Sequence, residues 1–227
     1  MATFLELCQD VARESGTISG TQPTAVTSQV GHLHKIVSHT AQAWRLIQLL
    51  RDNWKWMRRD WSKPTIAGTQ AYTAASLSIN DLARWITGAP LFCYKQSEGK
   101  GRERELEYVP WDEFRQTHLR GEQLLQDPAY WTVRPGDNAL MLSPIPDDVY
   151  VLSGEYFKTV QRLVANEDVP EIPTDYHDLI VWRGLMLLNE HEEAPVPAAY
   201  ARQNYNDLLT KVLSTQQPQI TFGGPLA

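Results

Sequence analysis

The stretch NWKWMRRDWSKPTIAGTQAY, residues 53–72, is where the hydrophobic period of this chain changes. Ahead of it, Val26, Val30, Leu33, Val37, Ala41, Trp44 and Ile47 recur every three or four residues, the stripe of an amphipathic helix. That helix is expected from Pro23 or Thr24 to about Asp52. Within the stretch Trp54, Trp56, Met57, Arg58 and Arg59 crowd together, and alternation sets in at Trp61-Ser62-Lys63-Pro64. Ile66 to Tyr72 then reads as a strand, a tight turn and a strand, with Gly68 supplying the permissive backbone.

Working outward, Thr3 to Glu14 is a short amphipathic helix with Phe4, Leu7, Cys8 and Val11 on one side and Thr3 as its N-cap. The segment from Ser15-Gly16 to Gly20-Thr21 breaks it. Beyond the quoted stretch, strands are expected at Trp85–Lys95, Leu106–Val109, Tyr130–Arg134, Ala139–Ser143 and Val149–Lys158. Ser97 to Arg104 reads as a polar hairpin tip and Pro110 to Leu119 as a short helix. The Pro-rich Val169–Pro173 returns the chain to helix, with Thr174 or Asp175 as N-cap and an apolar run to about Leu188; a last helix is expected over Ala198–Leu213. The order predicts an α+β fold in which N- and C-terminal helices form one helical domain around an inserted antiparallel β-rich domain. The divisions are 1–60 and 169–215 for the helical domain, 61–168 for the insertion, and 216–227 for an extended tail rich in Pro and Gly.

Of the 227 residues 42% are hydrophobic and 10% aromatic, including eight Trp and nine Tyr, so the chain can bury a core and still present large amphipathic contacts. A formal charge of −6 excludes a whole-protein positive field able to hold phosphate backbones by counterion release. Cys8 and Cys93 make neither a disulfide framework nor a metal quartet and are expected as reduced thiols made in a cytoplasm. The N-terminus has no basic region before an apolar one, so no secretory signal is read. The greasiest run, Leu179 to Leu188, is interrupted by Arg183 and is about half a bilayer span, so no membrane partner is expected.

Motifs for chemistry are few. Glu98-Gly99-Lys100-Gly101-Arg102 lacks the spacing and the Ser/Thr of a phosphate-binding loop. Lys100, Arg102 and Arg104 are candidates for touching DNA, although Glu98, Glu103 and Glu105 interleave with them. His32 and His34 are two apart and point to different sides of a helix, and His191 with Glu190, Glu192 and Glu193 lacks the His-Glu-x-x-His spacing. Asp147-Asp148 and Glu167-Asp168 flank Pro-containing turns and are read as turn chemistry. Neither Ser19 nor Ser153 lies in a nucleophile elbow. Arg183, amid Val181, Trp182 and Leu185, must be paired or emerge at an edge, at a polar seam or in an inter-subunit ion pair. No catalytic residue, metal or cofactor is expected.

Several pieces in sequence carry a resemblance. They are Thr3–Gly16 with Ile18-Ser19-Gly20, Ala43–Gln48, Trp54–Asp60, Ile66–Tyr72, Tyr108–Arg115, Leu140–Asp147, Ser153–Lys158 and Asp168–Met186. In order and spacing they resemble the head-to-tail adaptor (connector) proteins of tailed bacteriophages, as in short-tailed phages. The resemblance implies a virion neck protein, assembled in the host cytoplasm, that forms a dodecameric ring on the portal protein. A tail or nozzle protein docks below, and genomic DNA passes through with transient non-specific contact. In that arrangement the candidates are Gln219, Ile220, Phe222 and Leu226 for the portal, Lys100, Arg102 and Arg104 for the lumen, and Trp54, Trp56 and Arg183 between subunits. The alternatives are another neck, stopper or tail-completion protein without direct portal contact and, more remotely, a small accessory enzyme or DNA-binding protein.

Overall fold

The computed structural model describes residues 1–16, 22–192 and 195–216, with backbone alone at 191, 192 and 195–197. Its elements are α1 (Phe4–Glu14), α2 (Gly31–Leu49), β1 (Arg58–Pro64), β2 (Ala71–Tyr72), β3 (Leu82–Trp85), β4 (Leu91–Lys95) and β5 (Arg104–Tyr108). There follow α3 (Trp111–Thr117), β6 (Leu125–Gln126), β7 (Tyr130–Arg134), β8 (Ala139–Ser143), β9 (Ile145–Pro146), β10 (Tyr150–Lys158), α4 (Asp178–Glu192) and α5 (Pro195–Gln216). The fold is α+β. The chain divides into two compact units, Met1–Trp56 with Val160–Ala227, and Met57–Thr159.

In the first unit α1 is fixed by local chemistry. The Thr3 hydroxyl accepts from the Glu6 amide at 3.3 Å and the Glu6 carboxylate accepts from the Thr3 amide at 2.7 Å, a complete capping box. Two further free amides at this end, those of Phe4 and Leu5, donate to the carbonyls of Asp168 (2.7 Å) and Asn166 (3.2 Å). The second helix begins at Gly31, not at Pro23 or Thr24. Ser28 and Gly31 have φ of 59°, a left-handed backbone that cannot continue a right-handed helix. Val26 is nonetheless buried, because the extended segment docks through its amide onto the Asn166 side chain at 2.8 Å.

Central to this unit is α4, which packs on α1, α2 and α5. Leu179, Ile180, Val181, Leu185, Met186 and Leu188 are all buried, as an apolar run demands. At Gly184 a Cβ would lie 3.2 Å from Val11 Cγ2 and 3.7 Å from Thr40 Cα, so here the helices approach on the strength of a missing side chain. A short 3₁₀ turn, Thr174–Tyr176, precedes α4, and the helix proper starts later than Thr174 or Asp175 as N-cap would give.

The second unit is a curled, mostly antiparallel sheet in the order β1-β10-β4-β5-β7-β8-β2, with β3 also on β10 and a separate β6–β9 pair. Nine-residue β10 organises it. One edge pairs with β1 along its length, while the other is shared by β4 at Tyr150–Ser153 and β3 at Tyr156–Lys158. Trp85–Lys95 is therefore two strands, not one. Between the two attachments sits Gly154, where a Cβ would stand 2.8 Å from Leu91 Cδ1 and 3.4 Å from Trp61 Nε1.

One pair in the main sheet is parallel, β5 with β7, correcting the all-antiparallel expectation. The intervening chain carries α3, and a crossover of that kind brings the next strand back in the same direction. Strand β1 begins at Arg58, ahead of the visible alternation, because its ladder with β10 runs out to Phe157. Ile66–Tyr72 is a turn around Gly68 (φ 75°) with strand only at Ala71–Tyr72. Inside the sheet Trp61, Trp85 and Tyr156 pack ring to ring, at 5.1 and 6.4 Å between centroids, over Leu91, Cys93, Leu106, Leu140 and Leu152.

Candidate functional site

Trp54 and Trp56 follow α2, whose last carbonyls lack intrahelical partners. The Trp54 indole N–H donates to the Gln48 carbonyl (3.1 Å) and to that of Ile47 (3.2 Å), which the Leu50 amide also meets at 3.3 Å, and its ring stacks on Trp56 at 4.2 Å. Trp54 is completely buried within its own chain, whereas Trp56 is half-buried. Between them Lys55 donates from Nζ to the Thr215 carbonyl at 3.0 Å and from its amide to Gln216 Oε1 at 3.0 Å. An ammonium at the C-terminus of α5 suits the helix dipole; sequence reading passed over Lys55, whose partner lies 160 residues away.

Arg183 is half-buried, with its guanidinium carbon 5.7 Å from the Tyr205 ring centroid. One helical position earlier Trp182 meets Tyr200 edge-on at 5.5 Å. The charge in the apolar helix is thus accommodated by an aromatic face on α5. Burial pushes the Tyr205 hydroxyl upward while Arg183 opposes the shift.

Lys100 and Arg102 share an exposed 3₁₀ turn at the tip of the β4–β5 hairpin, as the sequence indicated. Arg104 lies on β5 and is engaged elsewhere: its guanidinium meets Asp127 at 3.1 Å and donates to the Pro128 carbonyl at 2.7 Å. Gln219, Ile220, Phe222 and Leu226 lie outside the described residues.

The carboxylate pairs do turn work. Asp168 Oδ2 accepts from the amides of Val164 (2.6 Å) and Ala165 (2.8 Å), and Asp148 accepts from Val149 (2.7 Å) and Lys95 (3.2 Å). These backbone donors hold both carboxyls below their ordinary range. Asp147 also joins an arrangement the sequence did not reveal. With Asp127 it takes the Tyr150 hydroxyl, at 2.6 Å from Asp147, and burial together with the two carboxylates pushes that phenol far up. Cys8 and Cys93 are free and buried, each thiol pushed up to about 12 by desolvation. Among the described residues no group of three or more His, Cys, Asp or Glu is placed to hold a metal, and no helix is long and apolar enough to cross a membrane.

Among the described residues each unit carries a cleft. A cleft of about 600 Å³ on the sheet is lined by Asp60, Ser62, Pro90, Phe92, Ser153 and Glu155. Cross-strand register sets Ser62, Ser153, Phe92 and Glu105 in one row over β1, β10, β4 and β5, and Asp60 opposite Glu155 in the next. In the helical unit a cleft of about 400 Å³ lies between α2 and the segment after β10, lined by Ala41, Gln42, Arg45, Gln161, Arg162, Leu163 and Val164. Its floor is rigid because Gln48 and Gln161 bond reciprocally, the Gln161 amide to Gln48 Oε1 at 2.7 Å and Gln48 Nε2 to the Gln161 carbonyl at 3.0 Å.

A family model described as SU10 adaptor protein matches residues 2–227. The chain belongs to the SU10 adaptor protein family. The match runs through both compact units, so neither the helices nor the sheet of this adaptor is an accessory graft. The resemblance to phage head-to-tail adaptors thereby holds, and membership makes the protein a structural component of the phage neck, with portal and tail as the implied neighbours. No curated protein matches the sequence.

Proposed function

We propose that copies of this chain close into a dodecameric ring beneath the portal, joining capsid to tail and passing the genome through the lumen. The observation that carries this reading is the adaptor-family match over residues 2–227. The net charge of −6 supports it, since a chain without a basic field lets DNA slide rather than grips it. The helices on either side of residues 61–168 act as one domain towards the portal, and the β-rich insertion is directed to the tail or to neighbouring copies. Gln219, Ile220, Phe222 and Leu226 of the 216–227 tail contact the portal, Lys100 and Arg102 touch passing DNA transiently, and Trp56 and Arg183 serve subunit contacts. The protein works in the virion neck after assembly in the host cytoplasm, without a catalytic step or a cofactor.

Native mass spectrometry of the protein, alone and with the portal protein of the same phage, tests the reading. The expected result is a complex carrying about twelve copies on the portal ring. Failure to bind the portal at any ionic strength would overturn the portal contact and move the protein to a lower neck or tail-completion position.

A further inference from the structure

Resting on the ring reading, we propose that adjacent copies are joined by charge-complementary clefts: Arg45, Arg162 and Val164 of one copy seat on the Asp60–Phe92–Glu105 face of the next. The two surfaces lie in different units of the same chain and are opposite in character. On the helical side, α2 contains no carboxylate over its 19 residues although the chain is net acidic. Arg45 and Arg162 are exposed, and among the described residues neither guanidinium has a hydrogen-bond or ion-pair partner. Asp168, six residues after Arg162, has its Oδ2 taken by the Val164 and Ala165 amides. Val164 itself is 65% exposed, an apolar knob beside two unpaired cations.

On the sheet side, Asp60 and Glu105 are exposed and likewise unpartnered among the described residues. Glu103 accepts from Ser153 at 3.2 Å at the same rim, and Glu155 is answered by Arg58, so the face is net acidic. Pro90 and Phe92 give it an apolar wall. An apolar knob with flanking guanidinium groups meets an apolar wall with flanking carboxylates, the pattern of a hydrophobic centre with a charged rim. Because the two surfaces are different, the contact is heterologous, and a heterologous contact whose rotation closes makes a ring. A phosphate backbone would satisfy the two arginines but offers nothing to Val164, which favours a protein occupant over DNA.

Charge reversal tests this with wild-type assembly on the portal as reference. The doubly substituted R45E/R162E chain and the D60R/E105R chain are each expected to lose copy-to-copy association by about a hundredfold, because like charges then face each other. Mixed in equal amounts they are expected to recover rings, since every contact in an alternating ring again joins opposite charges. Unchanged rings from either variant alone, or no recovery on mixing, would overturn the proposal. So would intact rings whose filled heads leak DNA in R45E/R162E, which would place the arginines in the lumen. Absence of rings from the wild-type chain would instead sink the ring reading itself. If circular dichroism shows that a reversed chain has lost its fold, S62C/V164C decides: oxidation of assembled rings should give a ladder of covalent multimers, and none if these faces do not meet.

Discussion

Replacing Gln161 with Leu should unfold the helical unit well below the temperature of the wild type. The Gln161 side chain makes three hydrogen bonds: its Oε1 accepts from Trp44 Nε1 and from the Glu171 amide, both at 3.1 Å, and its Nε2 donates to the Val169 carbonyl at 2.9 Å. Leucine fills a similar volume but satisfies none of these groups. Trp44 is completely buried, so its orphaned indole N–H costs about 1–3 kcal/mol, and the two half-buried backbone groups add about 1 kcal/mol each. The total, about 3–5 kcal/mol, corresponds to a fall in Tm of roughly 10 °C for a chain of this size. Thermal unfolding followed by circular dichroism measures it. The conservative Gln161→Glu keeps both acceptor contacts and loses only the donor, so its loss should be about 1–2 kcal/mol. A Gln161→Leu protein within about 2 °C of wild type would refute the view that this amide locks the connector to α2.

Gly154→Ala must displace Cδ1 of the buried Leu91 and should cost about 1–3 kcal/mol in denaturant unfolding, while Gly88→Ala, which meets nothing within 4 Å, should be close to neutral. His177 is held neutral: Nδ1 accepts from the Ala2 amide and Nε2 lies 3.2 Å from the Ile172 carbonyl, which it meets as N–H donor, and burial lowers its pKa from 6.5. Because the folded pKa is the depressed one, its stabilisation is complete above 6.5 and is lost as pH falls below it; urea midpoints on either side of that pH should show the decline, and His177→Gln should flatten it. Asp137, hydrogen-bonded to Arg134 across the β7–β8 turn, is lowered from 3.8 to about 2, so its contribution is present above 3.8 and disappears towards about 2. Arg134→Gln should therefore remove part of the acid limb of unfolding, and an identical limb in both proteins would contradict the assignment.

The sequence disclosed what local chemistry decides. Helix α1 was legible because cap, capping partner and apolar stripe lie within eleven consecutive residues, and α4 because a strongly apolar run, broken only by Arg183, must be largely buried. Val26 misled, since a valine buried by a long-range bond to Asn166 extends a helical stripe as convincingly as one buried inside the helix. Strand β1 showed only half of itself, because Trp61 is its one buried side chain and the ladder to β10 does the rest. The parallel β5–β7 pairing follows from a crossover, which strand composition does not record. For the candidate surfaces, the cluster around Trp54 and Trp56 was visible as composition, yet the capping role of Trp54 needs the end of α2 in three dimensions. Gln161, Arg45 and Arg162 carry no signal at all, being ordinary polar residues that meet across more than a hundred positions of chain.

The carbonyls of Asn166 and Asp168 that receive the first amides of α1 also set a timetable for synthesis. Ribosomes deliver about 5–20 residues per second, so the opening helix waits roughly ten to thirty seconds for the partners that complete its end. During that interval the nascent chain carries Phe4, Leu7 and Val11 without the apolar helix α4 that later covers them. The first segment translated is thus among the last to be finished, and the unit it belongs to can mature only after the whole sheet has left the ribosome.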